Sequence, residues 1–409
     1  MRFTRVLLAT GMLAAVAALP PAPNAHATSP PTPGQAFHAV GPVRVVDTRE
    51  SGQRLAAGGV LNVAITGHYG VPAGPAQASA VVTITAVNAD TAGYITAWPA
   101  GENRPETSIA NPSGPGSVIA ATTFVRLGAD GSFNLFSNVA TDLVVDISGY
   151  FAYPTFRAGD YGSGLVPLQP QRLTDSRTTA VTPLPAGTTN TFDTGPLGVP
   201  AEAVAIVANI TTVGAQSAGF VTAWPAGTPR PHTSMLNAAP SGTSSAVSNF
   251  AVIPLSGGMF SIFNSFDGDI VIDVSGYFDG DSGYGKASSS LYIATGPHRT
   301  LDTRAGSGTA AKPGATVTMP EISEYSSAIV FTMTVTNAAG PSYVTAWASP
   351  DSPPPVASAN TPESGATVAN TTIVGRAGDK GTIFEPPNVF LSGGGHLIID
   401  EIGYFLQRT

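Results

Sequence analysis

Arginine and aspartate recur at one spacing three times in this chain: "PVRVVDTR" (42–49), "PQRLTDSR" (170–177) and "PHRTLDTR" (297–304). On a strand, Asp47 and Arg49 share a face and Arg44 points to the other; Asp175 with Arg177, and Asp302 with Arg304, repeat the pattern. A guanidinium grips a carboxylate through two parallel N–H donors, which gives these arginines two readings. Arg49, Arg177 and Arg304 anchor an anionic ligand, or each forms a structural ion pair with Asp146, Asp273 or Asp400 at the far end of its own unit. A motif present in every copy, whatever loops surround it, favours the ion pair.

The three tryptophans are equally regular. Trp98, Trp224 and Trp347 sit in "YITAWPAG" (94–101), "FVTAWPAG" (220–227) and "YVTAWASP" (343–350). Asn111, Asn237 and Asn360 follow them at a constant distance, across loops rich in proline. One reading makes each Trp–Asn pair a ligand site, with a sugar ring on the indole and its hydroxyls held by the amide. The other makes the asparagines turn builders and the tryptophans pillars of separate cores. The turn reading is preferred for the loops, and the core or core-edge reading for the rings.

Catalytic chemistry finds little support. "GDSG" (280–283) has the look of a serine-protease nucleophile motif but falls in a linker, without a matching histidine segment. His38, His68, His232, His298 and His396 do not recur in register or at metal-ligand spacing. The acidic stretches "GADG" (128–131), "SFDGD" (265–269) and "AGDKG" (377–381) suit hairpin turns and match no calcium loop. No glycine-rich phosphate loop joins a strand to a helix. The expectation is a protein with no catalytic residues, no metal and no cofactor.

Those residues need a scaffold, and the scaffold repeats too. Each unit closes on "DISGYF" (146–151), "DVSGYF" (273–278) or "DEIGYF" (400–405). A repeat this long is a domain rather than a solenoid turn. Apolar residues alternate within it: Ala80, Val82, Ile84 and Ala86 share one face, and Ile206, Ala208, Ile210 and Ile329, Phe331, Met333 match them. Such rows predict half-buried strands. With 46 Gly and 36 Pro, and no helical period beyond the N-terminus, the expected fold is all-β: three tandem antiparallel β-sandwich, jelly-roll-like domains. The expected boundaries are 37–152, 165–279 and 291–409, with linkers at 153–164 and 280–290.

Residues 1–27 combine "MRFTR", a short apolar run and "AHA", the pattern of an export signal; 28–36 read as a disordered spacer. The chain has no cysteine, so each domain is expected to hold itself together by packing. Only 11% of residues are charged and the net charge is −8, which argues against nucleic acid as a partner. No apolar run suits membrane insertion. The units resemble a secreted tandem repeat of actinobacteria that begins at "VDTR", carries a "GYVTAWP"-like strand and ends at "DxxGYF", over about residues 37–409. That resemblance implies an accessory, surface-associated role, since such repeats stand alone or join extracellular enzymes. This sequence departs from the pattern at Ala121, where the other units have Asn249 and Asn370, at "WASP", and at Glu401, where they have Ile147 and Val274. The expected role is a non-catalytic secreted or cell-surface protein. Its expected partner is a glycan or cell-wall polymer, with another secreted protein, and so a structural or assembly role, as the alternative.

Overall fold

The computed structural model describes residues 34–74, 79–153, 162–178, 184–238, 240, 246–280, 289–305, 309–320, 326–348, 352–375 and 385–407. Residues 1–27, read above as an export signal, most of the 28–36 spacer, most of both linkers, most of "GDSG" and all of "AGDKG" lie outside them.

The described chain is all-β apart from two short helical turns, its strand pairs are antiparallel, and one strand order recurs. In the first third, an opening strand (Ala36–Asp47) pairs with the closing strand (Asp142–Ala152). The closing strand pairs in turn with a middle strand (Ser79–Val87), and that with an edge strand (Val118–Arg126). The same order links Leu165–Asp175, Asp269–Phe278, Ala205–Val213 and Ala246–Pro254. It links Ser290–Asp302, His396–Gln407, Ser326–Thr336 and Val368–Gly375 in the last third. A second sheet faces each of these. In the first third its strands are Val60–Ala64, Ser132–Ser137 and the tryptophan strand Ile95–Pro99.

Between the two sheets of each third lies a core built from the alternating rows: Ile84 and Val145 in the first, Ile210 and Ile272 in the second, Met333 and Ile399 in the third. The alternating rows predicted half-buried strands, but every residue of Ser79–Val87 is buried. The reason is a fourth core, drawn from all three repeats. Phe151, Phe278 and Phe405, the last residues of the closing motifs, form a triangle with ring centroids 5.8, 6.1 and 6.2 Å apart. Val81, Val207 and Val330 reach the same cluster from the second faces of the middle strands. Residues 33–409 therefore form one compact unit, and packing within each repeat is only part of what holds it.

The motif glycines make room for this centre. A Cβ on Gly149 would lie 2.4 Å from the Phe37 ring, and one on Gly403 2.5 Å from Tyr292, so no larger residue fits there. Strand pairing also crosses repeats. Leu165 bridges Ser290, which merges the inner sheets of the second and third repeats into one of eight strands. Gln35 bridges Tyr292, tying the start of the first repeat to the third.

Candidate functional site at the seams between repeats

The opening strands carry a bulge that changes which residues face together. Arg44 sits across from Asp146 but Val46 across from Val145, so Val45 is extra; Leu173 and Thr300 are its counterparts. One extra residue reverses the alternation, and Arg44 arrives on the same side as Asp47. The expected partner of the closing aspartate is therefore replaced. Asp146 is gripped by Arg44 through Nε and Nη2, not by Arg49. Arg172 holds Asp273 at 2.8 and 3.2 Å, and Arg299 holds Asp400 at 2.9 and 3.2 Å.

Arg49, Arg177 and Arg304 turn back onto their own motif. Each bonds Asp47, Asp175 or Asp302 through Nε, at 2.8–2.9 Å, and Nη2, at 2.6 Å. Each Asp also accepts the backbone N–H of that arginine, because the strand ends there and the aspartate caps the turn that follows. The first arginine donates Nη1 to the same Asp, at 3.0, 3.1 and 3.3 Å in the three repeats. The result is a line of alternating charge, Arg49–Asp47–Arg44–Asp146, copied twice more.

Each line ends on the next repeat. Asp146 accepts the backbone N–H of Ser234 at 3.0 Å, and Asp273 that of Ala357 at 3.2 Å. Asp400 accepts that of Ser108, and Arg299 adds a bond to the Glu106 carbonyl at 3.0 Å. Ser108, Ser234 and Ala357 occupy equivalent places in the loops after the tryptophans. First joins second, second joins third, and third joins first: the contacts close a ring.

Charge balance follows burial. Burial pushes the Asp146, Asp273 and Asp400 carboxyls up, against the pull of Arg44, Arg172 and Arg299. Asp47 and Asp175 are more open, and the hydrogen-bonded arginine beside each holds its carboxyl below the ordinary range. Asp302 is lowered to about 2 by Arg304.

The tryptophans lie at the root of the docking loops. Ile95 and Ala97 point into the first core, while Thr96 and Trp98 take the other face of the strand. That face is covered by the loop folding back: Thr96 Oγ1 donates to the Thr107 carbonyl, and Trp98 Nε1 donates to that of Glu102. Trp224 does the same with Thr228. At 5, 4 and 2% exposure, Trp98, Trp224 and Trp347 offer no open ring face to a sugar, so they are not stacking platforms. They are posts beneath the loops that close the ring.

The asparagines part from the tryptophans. Asn237 pairs across from Phe220, and Asn360 across from Tyr343, the aromatics that open "FVTAWPAG" and "YVTAWASP". Asn111 lies 3.5 Å from the Ser108 hydroxyl, beside Tyr94 on the wall of a cleft between the third and first repeats. The rings that face these seams are Tyr94 and Tyr343, which sequence reasoning passed over although each opens the same repeated stretch.

The chain matches no family model and no curated protein. Two further asparagines belong to the site. Asn249 accepts the Thr122 N–H at 3.0 Å, and Asn370 accepts the Phe250 N–H at 2.9 Å, each across a seam. These bonds satisfy donors on edge strands that would otherwise lack a partner. Ala121 holds the corresponding position in the first repeat and has nothing to reach with. Among the described residues, no group of three or more His, Asp or Glu is placed to hold a metal.

Proposed function

We propose that this chain is an exported, non-catalytic binding protein that presents three β-sandwich modules in one fixed ring, for attachment to a glycan or cell-wall polymer at the cell surface. The observation that carries the reading is the cyclic Arg–Asp–loop contact, which locks equivalent faces of three repeats into constant mutual geometry. Fixed spacing suits a repetitive polymer, since several weak contacts on one rigid body raise avidity by about 10²–10⁴ without any new contact. The "VDTR … DxxGYF" resemblance and the export-signal pattern support the same placement. Immobilised cell-wall polymer and a glycan array test it: retention should exceed that of matching soluble oligosaccharides by at least about a hundredfold. A protein that is retained on neither sinks the reading.

The fourth core favours a second reading, a structural or assembly protein of the envelope or of a secreted complex. Most of what recurs in sequence is consumed in holding the ring. Light scattering and co-purification from culture fluid separate the two: an assembly protein travels with a defined partner, whereas a glycan binder elutes alone.

A further inference from the structure

Two cavities open at equivalent places in the ring. One of about 490 Å³ lies between the third and first repeats, with Tyr94, Asn111, Arg304 and Thr334 in its wall. The other, about 390 Å³, lies between the second and third, with Tyr343, Asn360, Arg177 and Thr211. Four positions of the walls correspond: the aromatic that opens the tryptophan-bearing stretch, the loop asparagine, the last arginine of the motif and a middle-strand threonine. Their size is that of small-ligand sites, which run from roughly 300 to 1,000 Å³.

Three kinds of group await a ligand there. Arg177 and Arg304 each expose 47% of the side chain, and with Nε and Nη2 held by Asp175 or Asp302, Nη1 has no acceptor among the described residues. Thr334 Oγ1 and Asn360 Oδ1 are buried in these walls without a hydrogen-bond partner, a state that is uncommon in folded proteins. Tyr343 is 44% exposed, and its ring is steadied by Phe390 at 5.9 Å. Tyr94 leans on Phe136 in the same way at 5.8 Å, with the Arg104 guanidinium over the far ring.

Spare N–H and hydroxyl groups beside a fixed aromatic face match a polyhydroxylated ring. Arg177 and Arg304 are already neutralised by their own aspartates, and Arg104 in the first cavity is occupied with the Phe136 ring, with Glu106 in the same wall, which favours a neutral ligand over an anionic one. We propose that these two cavities are glycan subsites, each taking one or two rings of a neutral saccharide packed on Tyr94 or Tyr343, with hydroxyls bonded to Arg304 and Thr334 in the first and to Arg177 and Asn360 in the second. This rests on the glycan-binding reading and moves its site from the tryptophans to the seams.

Saturation-transfer NMR and calorimetric titration of the full chain test it, with cellotetraose, chitotetraose and mannotetraose as probes and trigalacturonate as the anionic comparison. Wild-type protein should bind at least one neutral tetrasaccharide. The double variant Tyr94→Ala/Tyr343→Ala, checked for folding by circular dichroism, should bind it at least tenfold more weakly. Thr334→Val, which preserves volume, should weaken binding even if the double variant fails to fold. Undiminished binding by the folded variants overturns the cavity assignment and leaves glycan recognition standing. Preference for the uronate overturns the neutral class. Binding of no saccharide by the wild-type chain, here or on the array, overturns both.

Discussion

Glu401 stands where the first two repeats have Ile147 and Val274, and it is 1% exposed. Burial pushes its carboxyl up to about 7, opposed by His298, whose Nε2 lies 3.5 Å from an oxygen with no hydrogen bond of its own. Tyr292 on the opening strand and Tyr404 on its own strand also feel its charge, and Phe331 lies across from it on the middle strand. Because the folded value lies above the ordinary 4.5, the stability tied to this group is complete below about pH 4.5 and is lost as pH rises through about 7. The difference is on the order of 3 kcal/mol. Glu401→Val should therefore raise the melting temperature at pH 8 and leave it little changed at pH 4.5; equal gains at both pH values refute this. Asp302 has the opposite sign. Its lowered carboxyl supports the fold above about pH 4 and ceases to do so as pH falls through about 2, so Asp302→Asn should flatten acid unfolding in that window.

The edge strands Val118–Arg126, Ala246–Pro254 and Val368–Gly375 show what one side chain can do for a seam. Asn370→Ala leaves the Phe250 N–H without its acceptor and should cost about 1–3 kcal/mol in denaturant unfolding. Ala121→Asn should supply the missing bond toward Thr371 and add about 1 kcal/mol; a destabilised variant means the third seam has no room for it. Much of this architecture could be read beforehand. The rows through Ile84, Ile210 and Met333 marked strands and their buried faces, and the recurrence marked the unit. The pairing of Arg44 with Asp146 could not be read, because alternation assumes a regular strand and the extra Val45 reverses it. Nor could the seam bonds of Asn249 and Asn370, which join residues far apart in sequence and obey no local period. Ala121 was visible as a departure, but its meaning depends on Thr371, which only the assembled ring brings near. The burial of the tryptophans agrees with the preferred core-edge reading, but the loop that covers them was not legible, because a strand pattern tells which face a side chain takes and not whether a loop returns over it.

At the scale of the molecule, the triangle of Phe151, Phe278 and Phe405 makes the three repeats depend on one another. Calorimetry should record a single cooperative transition rather than three, and resolved peaks for separate repeats contradict this. Phe278→Ala should cost about 3–5 kcal/mol and lower that one transition as a whole, although the residue belongs to the second repeat alone. Ring closure is uneven, however. The first two seams join residues 88 and 84 positions apart, whereas Arg299 reaches Glu106 across 193. Loop-closure entropy weighs most on that last contact, and it is also the seam where Ala121 replaces an asparagine and where the larger cavity opens. The circle of contacts thus has a preferred break, between the last repeat to be synthesised and the first, and strain, thermal breathing or an entering polymer strand should part it there before anywhere else.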